Sequence, residues 1–217
     1  MDVVTLIASK RKTDKCMIVC AGSTMADYEA DVKARIYHGN YDTIGINKIT
    51  HIIEPDYHLW TNVGRIKAFH DCIKSDSALI IGSKEQKEQN RLAHQYGAHV
   101  LDYRDSVKEA YGYSRGCVTG QFRTAGNLAI WLAHLSGYST IEIAGMDGYM
   151  LKYGGNQHCY GAGNTDSDDN EYEKEKDALI YRILNMMHIH CVFSIITPTI
   201  YKCFYEDVFG DRQTKDS

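Results

Sequence analysis

Short apolar runs alternate along the chain with longer stretches of helical periodicity. The runs "CMIVCA" (16–21), "TIGI" (43–46), "HLWT" (58–61), "ALII" (78–81), "AHVLDY" (98–103), "TIEIAGM" (140–146) and "HCVFSI" (190–195) predict strands. "VVTLIA" (3–8) reads as an extra edge strand. Helical patterns cover 25–36, 65–74, 84–96, 122–136, 170–187 and 199–208. This alternation predicts an α/β fold, a single Rossmann-like domain with a mostly parallel sheet and helices on both faces. A lid loop is expected near 149–168. The domain spans 1–209, and "GDRQTKDS" reads as a flexible tail over 210–217.

Ligands of such folds bind beyond the carboxyl ends of the strands, so the residues following each run carry the chemistry. After 16–21 come Gly22, Ser23 and Thr24, whose amides and hydroxyls suit a phosphate or ribose; they would equally make a plain tight turn. Asn47 and Asn62 end two further strands. An asparagine amide suits a ribose or base edge, or caps the next helix. Thr124, Ala125 and Gly126 open a helix whose N–H groups favour an anion, and Leu128, Trp131, Leu132 and Leu135 form its core stripe. Asp147 follows "TIEIAGM" and either touches ligand or fixes the loop.

Composition narrows the classes. The chain has 217 residues, 44% hydrophobic and 24% charged, enough for one sizeable core and unlike a disordered chain. A net charge of −4 gives no general attraction to nucleic acid or anionic membrane. No apolar stretch approaches the ~20 residues of a membrane span, and the start lacks the form of a signal peptide. Seven cysteines, scattered and without a CxxC pair, read as reduced thiols and point to a cytoplasmic protein.

These motifs, in this order, resemble the bacterial sialyltransferases of glycosyltransferase family 42 over roughly residues 16–208. "GSTM" takes the place of that family's first loop, with Ala21 where an asparagine is usual and Thr24 at a serine position. Asn47 in "TIGIN" and Asn62 in "HLWTN" resemble its nucleotide-holding asparagines. "TAGN" and "GYSTIEIAGMDGY" resemble its Thr-Ser-Gly helix, Gly-Tyr turn and Gly-Ile-Asp strand end; Thr124 and Gly126 match, and Ala125 replaces the serine. Tyr149 and Tyr153 resemble the two tyrosines that bind the leaving phosphate. "HCYG" resembles the loop carrying the general base, which makes that base His158.

The resemblance implies a metal-independent inverting transferase that moves sialic acid or a related sugar from a CMP-activated donor to an acceptor hydroxyl, a glycan by default. His158, Tyr149 and Tyr153 would be catalytic. Gly22, Ser23, Thr24, Asn47, Asn62, Thr124, Ala125, Gly126 and Asp147 would hold the nucleotide. No metal or other cofactor is expected. "DSD" at Asp166–Asp168 matches a cation-binding Asp-x-Asp pattern, but its run also reads as an acidic helix start. The alternatives are a pyrophosphokinase-like enzyme on the same scaffold, a noncatalytic nucleotide- or glycan-binding module, and a methyltransferase. Homo-oligomerisation stays open.

Overall fold

A computed structural model describes residues 1–74, 76–82, 86–105, 108, 110–150, 158–159 and 170–210. Its elements in chain order are α1 (Val3–Lys10), β1 (Lys15–Val19), α2 (Met25–Gly39), β2 (Asp42–Ile46), β3 (Tyr57–Trp60), α3 (Val63–Ala68), β4 (Ala78–Gly82), α4 (Gln86–Tyr96), β5 (His99–Leu101), β6 (Tyr103–Asp105), β7 (Gly112–Ser114), β8 (Cys117–Gly120), α5 (Ala125–Leu135), β9 (Thr140–Ala144), α6 (Asn170–Met187) and β10 (Val192–Ile195). Seven strands form one parallel sheet in the order β10-β9-β1-β2-β3-β4-β5. The fold is α/β and Rossmann-like, as the alternation predicts.

The strands read as continuous apolar runs because both faces are covered. Every residue of β2 and β3 is buried. On one face Ile18, Ile44, Leu59, Ile80 and Ile143 join a core with Leu128 and Leu132 of α5, Ile183 of α6 and Ile7 of α1. On the other, Met17 and Val19 pack with Val32 of α2, and Trp60, Leu79 and Ile81 pack with Ile66 of α3 and Leu92 of α4. Neighbouring strand residues thus serve opposite cores, the period-two consequence of the pleat.

Three expectations are corrected. The stretch 3–8 is helix α1, not an edge strand. Its buried residues, Val3, Val4, Leu6 and Ile7, recur at helical spacing, and the Asp2 carboxylate caps it by accepting from the Thr5 amide at 3.0 Å. The run 98–103 splits at Asp102. β5 ends the large sheet, and β6 enters a second, three-stranded sheet ordered β6-β8-β7. Its β7–β8 hairpin turns through Arg115 and Gly116, both at positive φ (52° and 80°). The segment 199–208 is not a helix beyond a 3₁₀ turn at Lys202–Phe204. It runs along the edge of β10, where Ile195 bridges Tyr205 and the Glu206 amide donates to the Ile195 carbonyl at 2.9 Å, covering an otherwise open strand.

Among the described residues no helix is long and apolar enough to cross a membrane. Most of the lid loop expected over 149–168, and the tail from 211, lie outside the described residues.

Candidate functional site

The chain goes from β1 to α2, which packs on one face of the sheet, and from β9 to α6, which packs on the other. β1 and β9 are neighbours, so their carboxyl ends part at a topological switch point, where open α/β sheets form their crevice. A cleft opens there and encloses about 690 Å³ of space, part of it open to solvent.

The first wall is the β1 turn. Gly22 approaches β9 so closely that a Cβ would lie 2.3 Å from the Gly145 carbonyl oxygen, and its own amide donates to that oxygen at 2.9 Å. Only glycine fits. Asp147 locks the turn from the other side. Its carboxylate accepts from the Thr24 amide at 2.8 Å, the Thr24 hydroxyl at 2.5 Å and the Ser23 hydroxyl at 3.1 Å. All three residues are buried. Burial pushes the Asp147 pKa above the usual carboxylate value, against the pull of these hydrogen bonds. Gly22 and Asp147 border the cleft, but Ser23 and Thr24 sit behind it. Their hydroxyls serve the turn, and the start of α2 is capped by the protein's own carboxylate.

The start of α5 faces the cleft instead. Thr124 is the N-cap and accepts from the Asn127 amide at 3.2 Å. Ala125 and Gly126 form the first turn, whose amides have no intrahelical acceptor. A Cβ on Gly126 would come within 2.7 Å of the Met146 methyl. Thr124, Ala125 and Gly126 all line the cleft.

Asn47 lines it from the end of β2. It holds a left-handed conformation (φ 55°), and its side-chain oxygen Oδ1 is buried without a hydrogen-bond partner. Asn62 does not join it. Exposed, it caps α3 by accepting from the Arg65 amide at 3.0 Å. Arg65, one turn into α3, reaches the cleft in its place.

Tyr149 and His158 complete the rim. The amides of Tyr149 and Met150 donate to the two carboxylate oxygens of Asp177 on α6 at 2.8 and 3.1 Å, and the Tyr201 hydroxyl donates to Oδ1 at 2.6 Å. This ties the chain after β9 to α6. Lys176 Nζ stands 4.3 Å from the Tyr149 ring centroid. His158 bridges Gly22, and the Cys159 amide donates to the Ala21 carbonyl at 3.1 Å. The pair is thereby strapped to the β1 turn, while Cys159 Sγ lies 3.6 Å from His51 Nε2. Tyr153, Asp166 and Asp168 lie outside the described residues. Among those described, no group of three or more His, Cys, Asp or Glu side chains is arranged to hold a metal ion.

The sequence reading missed Arg65, Cys20, Met146, Gly148 and Ile180, all of which line the cleft. Only Arg65 carried a signal, an arginine three residues after a strand-end asparagine.

His58 on β3 supports the site from beneath. It is fully buried, and its Nε2 lies 2.6 Å from the Asn47 carbonyl oxygen. Burial lowers its pKa to about 4. The unfolded chain, with an ordinary value near 6.5, binds a proton between these limits that the folded chain does not. Stability therefore falls as pH drops from about 6.5 to about 4, by roughly 3 kcal/mol in all. Denaturant melts of wild type and His58→Phe across pH 4 to 7 check this. The variant is expected to lose a large part of the slope, with the remainder carried by His51, His99 and His134, whose pKa values burial also lowers, and equal slopes would refute the assignment.

No protein-family model matches this chain, and no curated protein sequence matches it.

Proposed function

We propose that the protein is a metal-independent inverting glycosyltransferase that moves a sugar from a CMP-activated donor to an acceptor hydroxyl. The observation that carries this reading is one cleft, at the carboxyl ends of β1 and β9, that gathers Asn47, the α5 N-terminus, Tyr149 and His158. The resemblance to the family 42 sialyltransferases names the donor sugar, sialic acid or a related keto-acid sugar, and makes a glycan the default acceptor.

In this mechanism His158 takes the proton from the acceptor hydroxyl as its oxygen attacks the anomeric carbon. The bond from that carbon to the phosphate breaks on the opposite face, and CMP leaves. Histidine suits this base role near neutral pH. Charge gathers on the departing phosphate. The hydroxyls of Tyr149 and Tyr153 donate hydrogen bonds to it, and the α5 N-terminus and Arg65 favour an anion in the same cleft. Asn47 holds the nucleoside. Asp147 acts one step back, by fixing the turn that carries Gly22.

Calorimetry with CMP, UDP, GDP, AMP and S-adenosylmethionine tests the donor class. CMP is expected to bind at micromolar Kd. A purine nucleotide or S-adenosylmethionine binding in its place would move the protein to pyrophosphokinase-like or methyltransferase chemistry. Transfer from the CMP-sugar is expected to persist in EDTA. Complete loss on chelation, restored by Mn²⁺ or Mg²⁺, would discard the tyrosine mechanism in favour of Asp166 and Asp168.

A further inference from the structure

Three buried polar atoms without a hydrogen-bond partner belong to one contiguous group: Asn47 Oδ1, His58 Nδ1 and Trp60 Nε1. His58 and Trp60 are both fully buried, two residues apart on the same face of β3, with ring centroids 5.0 Å apart. Asn47 follows β2, the neighbouring strand. An unpaired nitrogen in a core costs stability, and an apolar ring at position 58 would avoid that cost. Something at this position therefore requires the imidazole.

Its one hydrogen bond identifies the requirement. The Asn47 carbonyl can only accept, so at 2.6 Å His58 Nε2 must carry the proton. Nδ1 then stays bare, because a second ring proton would be buried with no acceptor. The tautomer is fixed by its surroundings. The same carbonyl also accepts from the Ile49 amide at 2.9 Å, and the Asn47 amide donates to the Leu59 carbonyl at 3.0 Å. These bonds close around a non-glycine residue in the left-handed region, a conformation that persists only where its surroundings over-determine it.

We propose that His58 is the positioning residue of the cleft: as the Nε2–H tautomer it holds Asn47 in its left-handed turn, so that Asn47 Oδ1 meets an N–H or O–H donor of the bound ligand. On the nucleotide reading of the cleft, on which this ligand assignment rests, that donor is a base amino group or a ribose hydroxyl. His58 touches no ligand itself. The side-chain oxygen it positions is a buried acceptor that only a donor entering the cleft completes.

The test uses CMP as the probe, with wild type, His58→Phe and His58→Gln. Phenylalanine keeps the bulk and removes the donor; glutamine returns an N–H near the position of Nε2. Long-range ¹H–¹⁵N spectra of the wild type are expected to show one neutral tautomer, protonated at Nε2. Backbone shifts are expected to report a left-handed Asn47 in wild type and His58→Gln, and a changed one in His58→Phe. CMP affinity is expected to fall about tenfold in His58→Phe and to recover in His58→Gln, the scale of one hydrogen bond. A protonated Nδ1, or an Asn47 backbone and CMP affinity untouched in folded His58→Phe, would overturn the proposal. If the wild type binds no CMP, the nucleotide reading fails, and the tautomer and Asn47 shifts still decide the role of His58. A His58→Phe chain that does not fold passes the decision to the wild-type tautomer and to His58→Gln, which must keep the left-handed Asn47.

Discussion

On the proposed transfer mechanism, His158→Ala is expected to lower the rate by about 10²–10⁴-fold, the usual cost of losing a general base, while CMP affinity changes far less. The separation follows from how the residue is held. The bridge to Gly22 and the bond from the Cys159 amide to the Ala21 carbonyl are backbone interactions, and truncating the imidazole leaves both in place. Asn47 and the α5 N-terminus stand on other elements and keep their geometry. His158 is only half-buried, so little packing is lost. The wild-type rate is expected to fall on the acid side as the imidazole takes a proton, and that limb is expected to vanish in the variant. Measuring kcat and CMP affinity for both proteins from pH 5 to 9 separates the outcomes. An unchanged kcat, or a loss that tracks unfolding, would return His158 to a loop role. On the proposed mechanism Tyr149→Phe slows the reaction as well, because it removes the hydroxyl assigned to the leaving phosphate while the backbone contacts to Asp177 remain.

The sheet was legible because burial on both faces leaves uninterrupted apolar runs, and "TIGI" and "HLWT" could hardly be anything else. The misses have specific physical causes. In "VVTLIA" five apolar residues interrupted only by Thr5 mask the period, and the informative residue, Asp2, lies outside the run as a cap. "AHVLDY" crosses Asp102, where the chain changes sheets without a glycine or proline to mark it. The segment 199–208 has a helical pattern of apolar residues, but Tyr201 is committed to Asp177 and the chain beyond Phe204 to the edge of β10. Strand-end position led to Gly22, Asn47 and Asp147, and the helix start to Thr124, all of which line the cleft. Such positions could not separate a side chain facing the cleft from one facing the turn behind it. That distinction set Ser23 and Thr24 apart from Gly22, because Asp147, far away in sequence, claims both hydroxyls. Asn62 and Arg65 show the same limit: the asparagine spends its oxygen on the helix cap, and the residue one turn later reaches the cleft.

Asp147→Ala is expected to be the most destabilising single change at the site, by roughly 3 kcal/mol or more, since each buried donor left without an acceptor costs ~1–3 kcal/mol. Three such donors converge on its carboxylate: the Thr24 amide and the hydroxyls of Thr24 and Ser23. The ion itself adds little, because burial raises its pKa despite those bonds. The loss comes from the partners it leaves behind. No rearrangement replaces the acceptor easily, since Gly22 is already pressed against the Gly145 carbonyl and the turn cannot shift toward β9. For a chain of this size the melting temperature is expected to fall by roughly 10 °C, taking ~2–4 °C per kcal/mol. A double-mutant cycle isolates the cause. Thr24→Ala removes one hydroxyl donor, so adding it to Asp147→Ala is expected to cost less than the sum of the two changes, with a coupling of about 0.5–3 kcal/mol. Asp147→Asn, which keeps one acceptor oxygen in place, is expected to fall between wild type and Asp147→Ala. Thermal melts of the four proteins of the cycle decide it: strict additivity would mean that Asp147 and Thr24 act independently, and the lock on the β1 turn would then lie elsewhere.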